Sequence, residues 1–245
     1  MAKRIISFLS VVTLVFLLTA CGSRDSEEQA VRPEQTESQM MESVGPIPET
    51  EKEESGTDGN ETSTEDGNGK VLVAYFSWAE NAVQDDIDAM TSASVKAPGN
   101  VAQLASWIAE ETEGELFSIQ VTEPYPADWD GCLNRANKEK SENARPELVR
   151  TVEDVENYDV IFLGFPNWWY SCPMAIFSFI EGYDFSGKQI YLFCSHGTGG
   201  LARSVRDIAD ALPDSNISQN VFDAYAEDTA DSRSEIEEWI KEIGF

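Results

Sequence analysis

Histidine is all but missing from this chain: its 245 residues contain one, His196. A catalytic scheme needing two imidazoles is therefore excluded, and a hydrolase would have that single base to work with. The G-x-S-x-G turn that presents a serine nucleophile is absent, as is the G-x-x-x-x-G-K-[ST] phosphate loop. Cations are scarce as well. Seventeen Lys and Arg stand against 45 Asp and Glu, a formal net charge of −28. So acidic a chain has no basic face for nucleic acid or anionic lipid headgroups. A phosphate ligand stays open, because main-chain N–H groups and hydroxyls hold phosphate without a cation. Cysteine is thin too: beyond Cys21 there are Cys132, Cys172 and Cys194. With His196 they have the residue types of a zinc site, but no CxxC or HxxxH spacing supports one, and no metal is expected. Cys172 and Cys194, each beside a strand end, read as small buried apolar residues.

The first 69 residues look unlike the rest. Lys3 and Arg4 precede an apolar stretch, Ile5–Leu18, too short to span a membrane comfortably. It runs into Leu18-Thr19-Ala20-Cys21, which resembles the lipobox of a bacterial lipoprotein. That resemblance implies that residues 1–20 are a signal peptide removed before Cys21. It also implies a lipid on the Cys21 sulfur and a mature protein anchored on the extracytoplasmic face of a bacterial membrane. From Gly22 to Gly69 there are fourteen Asp or Glu against three Lys or Arg, with many Ser, Thr, Gly and Gln. Such a segment buries too little apolar surface to offset its ordering entropy, so residues 21–69 are expected to be a disordered, extended tether.

Residues 70–245 suffice for one domain with a sizeable core. Its densest apolar run is YDVIFLGFPNWW, Tyr158–Trp169, in which Val160, Ile161, Phe162, Leu163 and Phe165 read as a strand buried on both faces. KVLVAYFS (Lys70–Ser77), Glu115–Val121, Gln189–Ser195 and Asn216–Phe222 read as four more. Helical spacing lies between them: Val101, Leu104, Ala105 and Ile108; Asn134–Asn143; Pro173–Glu181; Ala202–Leu212; Ser232–Ile243. Strands alternating with helices predict a three-layer α/β fold, a five-stranded parallel sheet wrapped on both faces. Ligands of open α/β sheets bind at the carboxyl ends of the strands. Three such ends stand out. After the first strand come Ser77, a polar insertion (Trp78–Gly99) and then Gly99-Asn100 opening a helix, which gathers a hydroxyl and free N–H groups. The third strand ends in Pro166-Asn167-Trp168-Trp169-Tyr170, where the indoles taken alone read first as a lid on the core, and as a wall for a planar ligand once the neighbouring loops are counted. The fourth ends in Ser195-His196-Gly197-Thr198-Gly199-Gly200, whose glycines let a ligand approach closely.

With EPYPADWD and ENARPEL between them, VLVAYFS, YDVIFLGFPNWW and SFIEGYDFSGKQIYLFCSHGTGG make the domain resemble the flavodoxin-like family across essentially all of Lys70–Phe245. The resemblance implies strand order 2-1-3-4-5 with FMN at the switch point. It assigns the FMN phosphate to Ser77, Gly99, Asn100 and Val101, with Glu80 and Asn81 in the intervening loop. It sets Pro166, Asn167, Trp168, Trp169 and Tyr170 beside the isoalloxazine, and Ser195 to Gly200 along its pyrimidine edge. Val101 departs from the family, which commonly has threonine after Gly-Asn, so one phosphate donor is missing. The insertion carrying Glu80, Asn81, Thr91, Ser92 and Ser94 is where a substitute would come from. Asp88-Ala89-Met90-Thr91-Ser92-Ala93-Ser94 loosely resembles the D-x-x-[ST]-G-A-[ST] target of covalent FMN attachment, but a polar Ser/Ala loop accounts for it better. With FMN in place the acidic surface and lack of nearby cations would disfavour the anionic reduced flavin. The partners implied are a redox protein or a small acceptor such as a quinone. The competing expectation is a lipoprotein that binds flavin or a partner without redox work.

Overall fold

Near-unbroken apolar runs at Val71–Tyr75 (β1), Val160–Pro166 (β3) and Gln189–His196 (β4) form the middle of one parallel sheet. Their registers are aligned: Leu72 lies beside Ile161 and Ile161 beside Ile190, while Ala74, Leu163 and Leu192 form the next row. Because side chains alternate across a strand, these rows share one face and Val73, Phe162 and Tyr191 share the other. Each face carries its own core, which is why the runs are apolar throughout. A single helical turn, α1 (Trp78–Asn81), follows β1; the first face packs on α3 (Trp129–Glu142), α4 (Met174–Ile180) and α5 (Ser204–Ala211), and the second on α2 (Asn100–Thr112) and α6 (Arg233–Glu242). Gly164 interrupts β3 for a steric reason. A Cβ there would lie 2.1 Å from Cζ of Phe193, whose ring crosses the strand.

These are the elements of a computed structural model that describes residues 69–83 and 93–245. The expected signal peptide (residues 1–20), Cys21, the expected tether and the insertion residues Asp88 to Ser92 lie outside the described residues. Among the described residues no helix is long and apolar enough to cross a membrane.

The strand order is β2-β1-β3-β4-β5, with β2 at Glu115–Ser118 and β5 at Asn216–Ile217. The predicted fold class and order are therefore correct, with one refinement at the fifth position. The final strand is two pieces: β5 pairs with the start of β4, and β6 (Phe222–Tyr225) pairs with its end. Between them Ser218 Oγ accepts from the Asn220 N–H at 3.1 Å, a local side-chain bond that competes with the sheet ladder. Helix α3 starts five residues before the predicted Asn134, because Asp128 caps it by accepting from the Gly131 N–H at 2.7 Å. β2 stops at Ser118, earlier than the predicted Val121, which pairs instead with Leu148 as an isolated bridge.

The chain leaves β1 towards β2 on one side and reaches β3 on the other. A reversal of this kind opens a crevice at the carboxyl ends of β1 and β3.

Candidate functional site

Ser77 follows β1 and is 1 % exposed, yet among the described residues its Oγ has no hydrogen-bond partner. A buried hydroxyl left unpaired is costly unless something else meets it. It lies across from Gly99, the N-cap of α2, whose φ of +79° and ψ of 149° suit glycine. A Cβ on Gly99 would sit 2.4 Å from Ser77 Oγ and 2.9 Å from the Ala79 methyl. The first N–H groups of α2 have no acceptor within the helix. Hydroxyl and helix start thus face one cleft, lined also by Ser94, Asn100, Val101, Ser195 and Ala226. The insertion does fold back here: the short 3-10 turn Ala93–Val95 brings Ser94 to the cleft. Val101 is buried in the α2 core, so it contributes main chain alone.

Asn100 fastens this end to the far side of the sheet. Its Nδ2 donates to the Ala226 carbonyl at 2.8 Å and to Ser195 Oγ at 3.2 Å. His196, half-buried, has Nδ1 2.7 Å from the Gly197 carbonyl and Nε2 2.7 Å from Asp223 Oδ2. It lines the cleft from the β4 side and is held in place from both nitrogens.

The cleft continues past Trp129 and Trp168 into a second hollow lined by Asn167, Trp169, Tyr170, Gly197, Thr198 and Gly199. The two indoles differ. Trp168 is buried and edge-on to Phe76, Trp78 and Tyr125, with ring centroids 5.2–6.0 Å apart. It is chiefly a lid on the core, the alternative the sequence left open, and it also lines both parts of the cleft. Trp169 is half-buried against Trp129, and Tyr170 is 70 % exposed. Trp168 and Ser171 exchange both main-chain hydrogen bonds, 2.8 and 3.0 Å, making Trp169 and Tyr170 the tip of a two-residue turn.

Other expected contacts are elsewhere. Glu80 turns from the cleft and accepts from the Tyr75 hydroxyl at 3.0 Å and from Ser118 Oγ. Burial and that carboxylate push the Tyr75 phenol up to about 12. Asn81 is a buried bracket: Nδ2 donates to the carbonyls of Ser77 and Ile119, and Oδ1 accepts from the Val121 N–H. It fixes Ser77 from behind without lining the cleft. Of the glycines after β4, Gly200 has a positive φ and its carbonyl accepts from Asn167 Nδ2. A Cβ at Gly197 would meet nothing within 4 Å, so no crowding in the protein itself demands glycine there. Trp78 and Trp129 line the cleft though neither was singled out as a contact; the EPYPADWD motif that carries Trp129 was the available signal. Nor is the site free of cations. Lys140 Nζ lies 2.6 Å from the Trp169 carbonyl, which corrects the expectation of a cation-free surround. Among the described residues no group of three or more His, Cys, Asp or Glu is placed to hold a metal.

A doubly wound α/β sheet with a hydroxyl, a helix start and an aromatic wall at its switch point defines a nucleotide-cofactor class of protein. The flavodoxin family model matches residues 70–243, and the chain belongs to that family. Two solved structures, described as candidate flavoproteins, are similar along nearly their whole length. The one from Bacteroides uniformis is 30 % identical, with 71 % of this chain and 99 % of that chain covered and a TM-score of 0.57. The one from Bacteroides eggerthii is 27 % identical, with 73 % and 99 % covered and a TM-score of 0.56. A flavoprotein from Lactobacillus acidophilus, solved in complex with FMN, is 20 % identical over 68 % of this chain and 99 % of that one, at a TM-score of 0.49. Among curated proteins none matches the chain.

Proposed function

We propose that the domain binds FMN and serves as a redox protein, carrying electrons or reducing small acceptors such as quinones. The observation that carries this reading is Ser77 Oγ, buried and without a partner among the described residues, facing the glycine-capped start of α2 in a cleft that ends in an aromatic wall. The residues present fit the group. Ser77, Ser94 and the first turn of α2 would hold the phosphate, and the dipole of α2 favours the negative charge. Asn167, Trp169 and Tyr170 would meet the ring, with Trp129 as a further apolar neighbour and Ser195 to Gly199 along another edge. When bound, FMN supplies one- and two-electron chemistry, and the protein supplies orientation, water exclusion and electrostatics. Neither general acid nor base is required of the chain.

Titration with FMN and with riboflavin, followed by tryptophan fluorescence, tests the reading. Quenching that saturates with FMN tighter than riboflavin is expected. Absence of quenching and of a flavin spectrum after incubation with excess FMN sinks it and favours a lipoprotein that binds a partner without redox work. Reduction of the loaded protein by NADPH, compared with reduction by a membrane quinol, separates the donors.

The location belongs to the same proposal. Leu18-Thr19-Ala20-Cys21 supports lipidation of Cys21 and an extracytoplasmic, membrane-anchored protein. The charge of −28 argues against adhesion to anionic lipid without that anchor. Cys21→Ala should move the protein from the membrane fraction to the soluble one. Retention of the variant on membranes would refute the anchor.

A further inference from the structure

The turn at the end of β3 is built from residues that local preference would not choose. Trp169 has φ +49° and Tyr170 φ +66°, and the flanking Trp168 and Ser171 are doubly bonded to each other. A two-residue turn with positive φ at both central positions ordinarily takes Asn-Gly or Gly-Gly, since a Cβ crowds the following carbonyl. Large side chains persist in such a conformation when the surroundings over-determine it.

The surroundings are identifiable. Trp168 is anchored in the core, and Ser171 Oγ donates to Asp207 of α5 at 2.7 Å. These fix the two ends. The Arg203 N–H reaches the Tyr170 carbonyl at 3.2 Å. The remaining freedom lies in the central peptide, whose carbonyl belongs to Trp169. Rotation of that peptide about its neighbours changes the turn type and carries Tyr170 with it. Among the described residues one side chain holds this carbonyl: Lys140, in the last turn of α3, donates to it at 2.6 Å.

We propose that Lys140 is the positioning residue of the aromatic wall, locking the Trp169–Tyr170 peptide in the orientation that presents both rings to the cleft. The proposal rests on the FMN reading for its purpose, though not for its geometry. Charges around the ammonium are mixed. Burial and Arg203 lower its proton affinity, and Asp207 raises it. The groups that meet Lys140, the Trp169 carbonyl, Arg203 and Asp207, all belong to the ring end, so its influence is on ring recognition and not on the phosphate.

The test compares full-length Lys140→Met and Lys140→Arg with the parent protein. Near-UV circular dichroism of the flavin-free proteins reads the coupling among the indoles, and fluorescence titration gives the Kd for FMN and for riboflavin. Lys140→Met should change the near-UV spectrum and weaken both ligands by the same factor, about tenfold; Lys140→Arg, which keeps a donor, should recover most of it. Equal loss separates positioning from simple charge, because removing a cation alone would weaken anionic FMN more than neutral riboflavin. A folded Lys140→Met protein that binds both ligands as the parent does, or that loses FMN affinity alone, overturns the proposal. If the parent binds neither flavin, the functional reading fails. The near-UV comparison then still decides the role of Lys140, and an unchanged spectrum would end it.

Discussion

At the Ser77 end of the cleft the residue with positive φ is Gly99; at the Trp169 end, beside Gly200, a tryptophan and a tyrosine also have positive φ. The first end is shaped by main chain, and its side chains are small: a serine, a glycine and the start of a helix. Glycine reaches the required conformation without steric cost, so little else has to support it. The second end must place aromatic surface, and glycine would supply none. There the chain accepts unfavourable backbone geometry and offsets it with bonds from α3 and α5, helices far away in sequence. Both ends have long-range ties, Asn100 to Ser195 and Ala226 at the first, but only the second needs them to hold an unfavourable backbone.

The largest effect that would break this contrast lies at Gly99. Gly99→Val sets a branched side chain where a Cβ alone is already 2.4 Å from Ser77 Oγ. Strain and overpacking together should cost about 3 kcal/mol of stability, and FMN affinity should fall by more than about 100-fold, the order of losing the pocket's charged hydrogen bonds. Thermal denaturation and flavin titration measure both. A variant that melts and binds like the parent would show that the helix start has no part in the site.

Ser77→Ala is the sharper probe. The hydroxyl has no partner among the described residues, so its removal should leave stability unchanged or raise it by up to about 1 kcal/mol. FMN affinity should nonetheless drop by about 10- to 100-fold, the usual range for a hydrogen bond to a charged group. Riboflavin affinity should stay constant. Loss of both ligands together would mean that the two ends are not independent.

The contrast also explains what could be read in the sequence. The sheet was legible from Val71–Tyr75 and Val160–Pro166 because strands buried on both faces have to be apolar throughout. Ser77 and Gly99-Asn100 were legible because their chemistry is local: strand end, hydroxyl, N-cap. Trp169 and Tyr170 were visible as residues, but not the left-handed turn that holds them. Propensity argues against that turn, and Lys140 and Asp207 lie 29 residues before Trp169 and 36 after Ser171. Glu80 and Asn81 misled for the converse reason. Their polarity suits a phosphate loop equally well, and only the fold shows that Tyr75, Ser118 and the main chain of β2's exit claim them. Ser218 broke the last strand through a side-chain bond too short-ranged for hydrophobic periodicity to register.

Strain at the turn should itself be measurable. Tyr170 is 70 % exposed and loses little packing when truncated. Tyr170→Gly should therefore raise the stability of the flavin-free protein by about 0.5–1 kcal/mol, the relief of the left-handed residue less the entropy of a new glycine. Riboflavin and FMN should both bind severalfold more weakly. A stability gain with undiminished binding would remove Tyr170 from the wall.

The smallest effect is kinetic and tests whether the ring end opens on its own. Cys172, next to Ser171 of the turn, is 4 % exposed, and burial together with Asp207 pushes its thiol up to about 12. Cys132, on the buried face of α3, is likewise pushed up to about 12, by burial and Glu139. A raised thiol pKa means less thiolate at any pH below it. Attack on the closed protein would thus accelerate about tenfold per pH unit well past pH 9. Attack through an opened turn meets a solvated thiol and should level off near its ordinary value of about 8.5. We expect the levelling curve for Cys172, slowed severalfold by FMN, with Cys132 slower and indifferent to flavin. Both rates come from mass spectrometry of the labelled protein. Equal behaviour of the two thiols would mean that the turn is no looser than the core beneath it, and the clamp on Trp169 would then have little left to restrain.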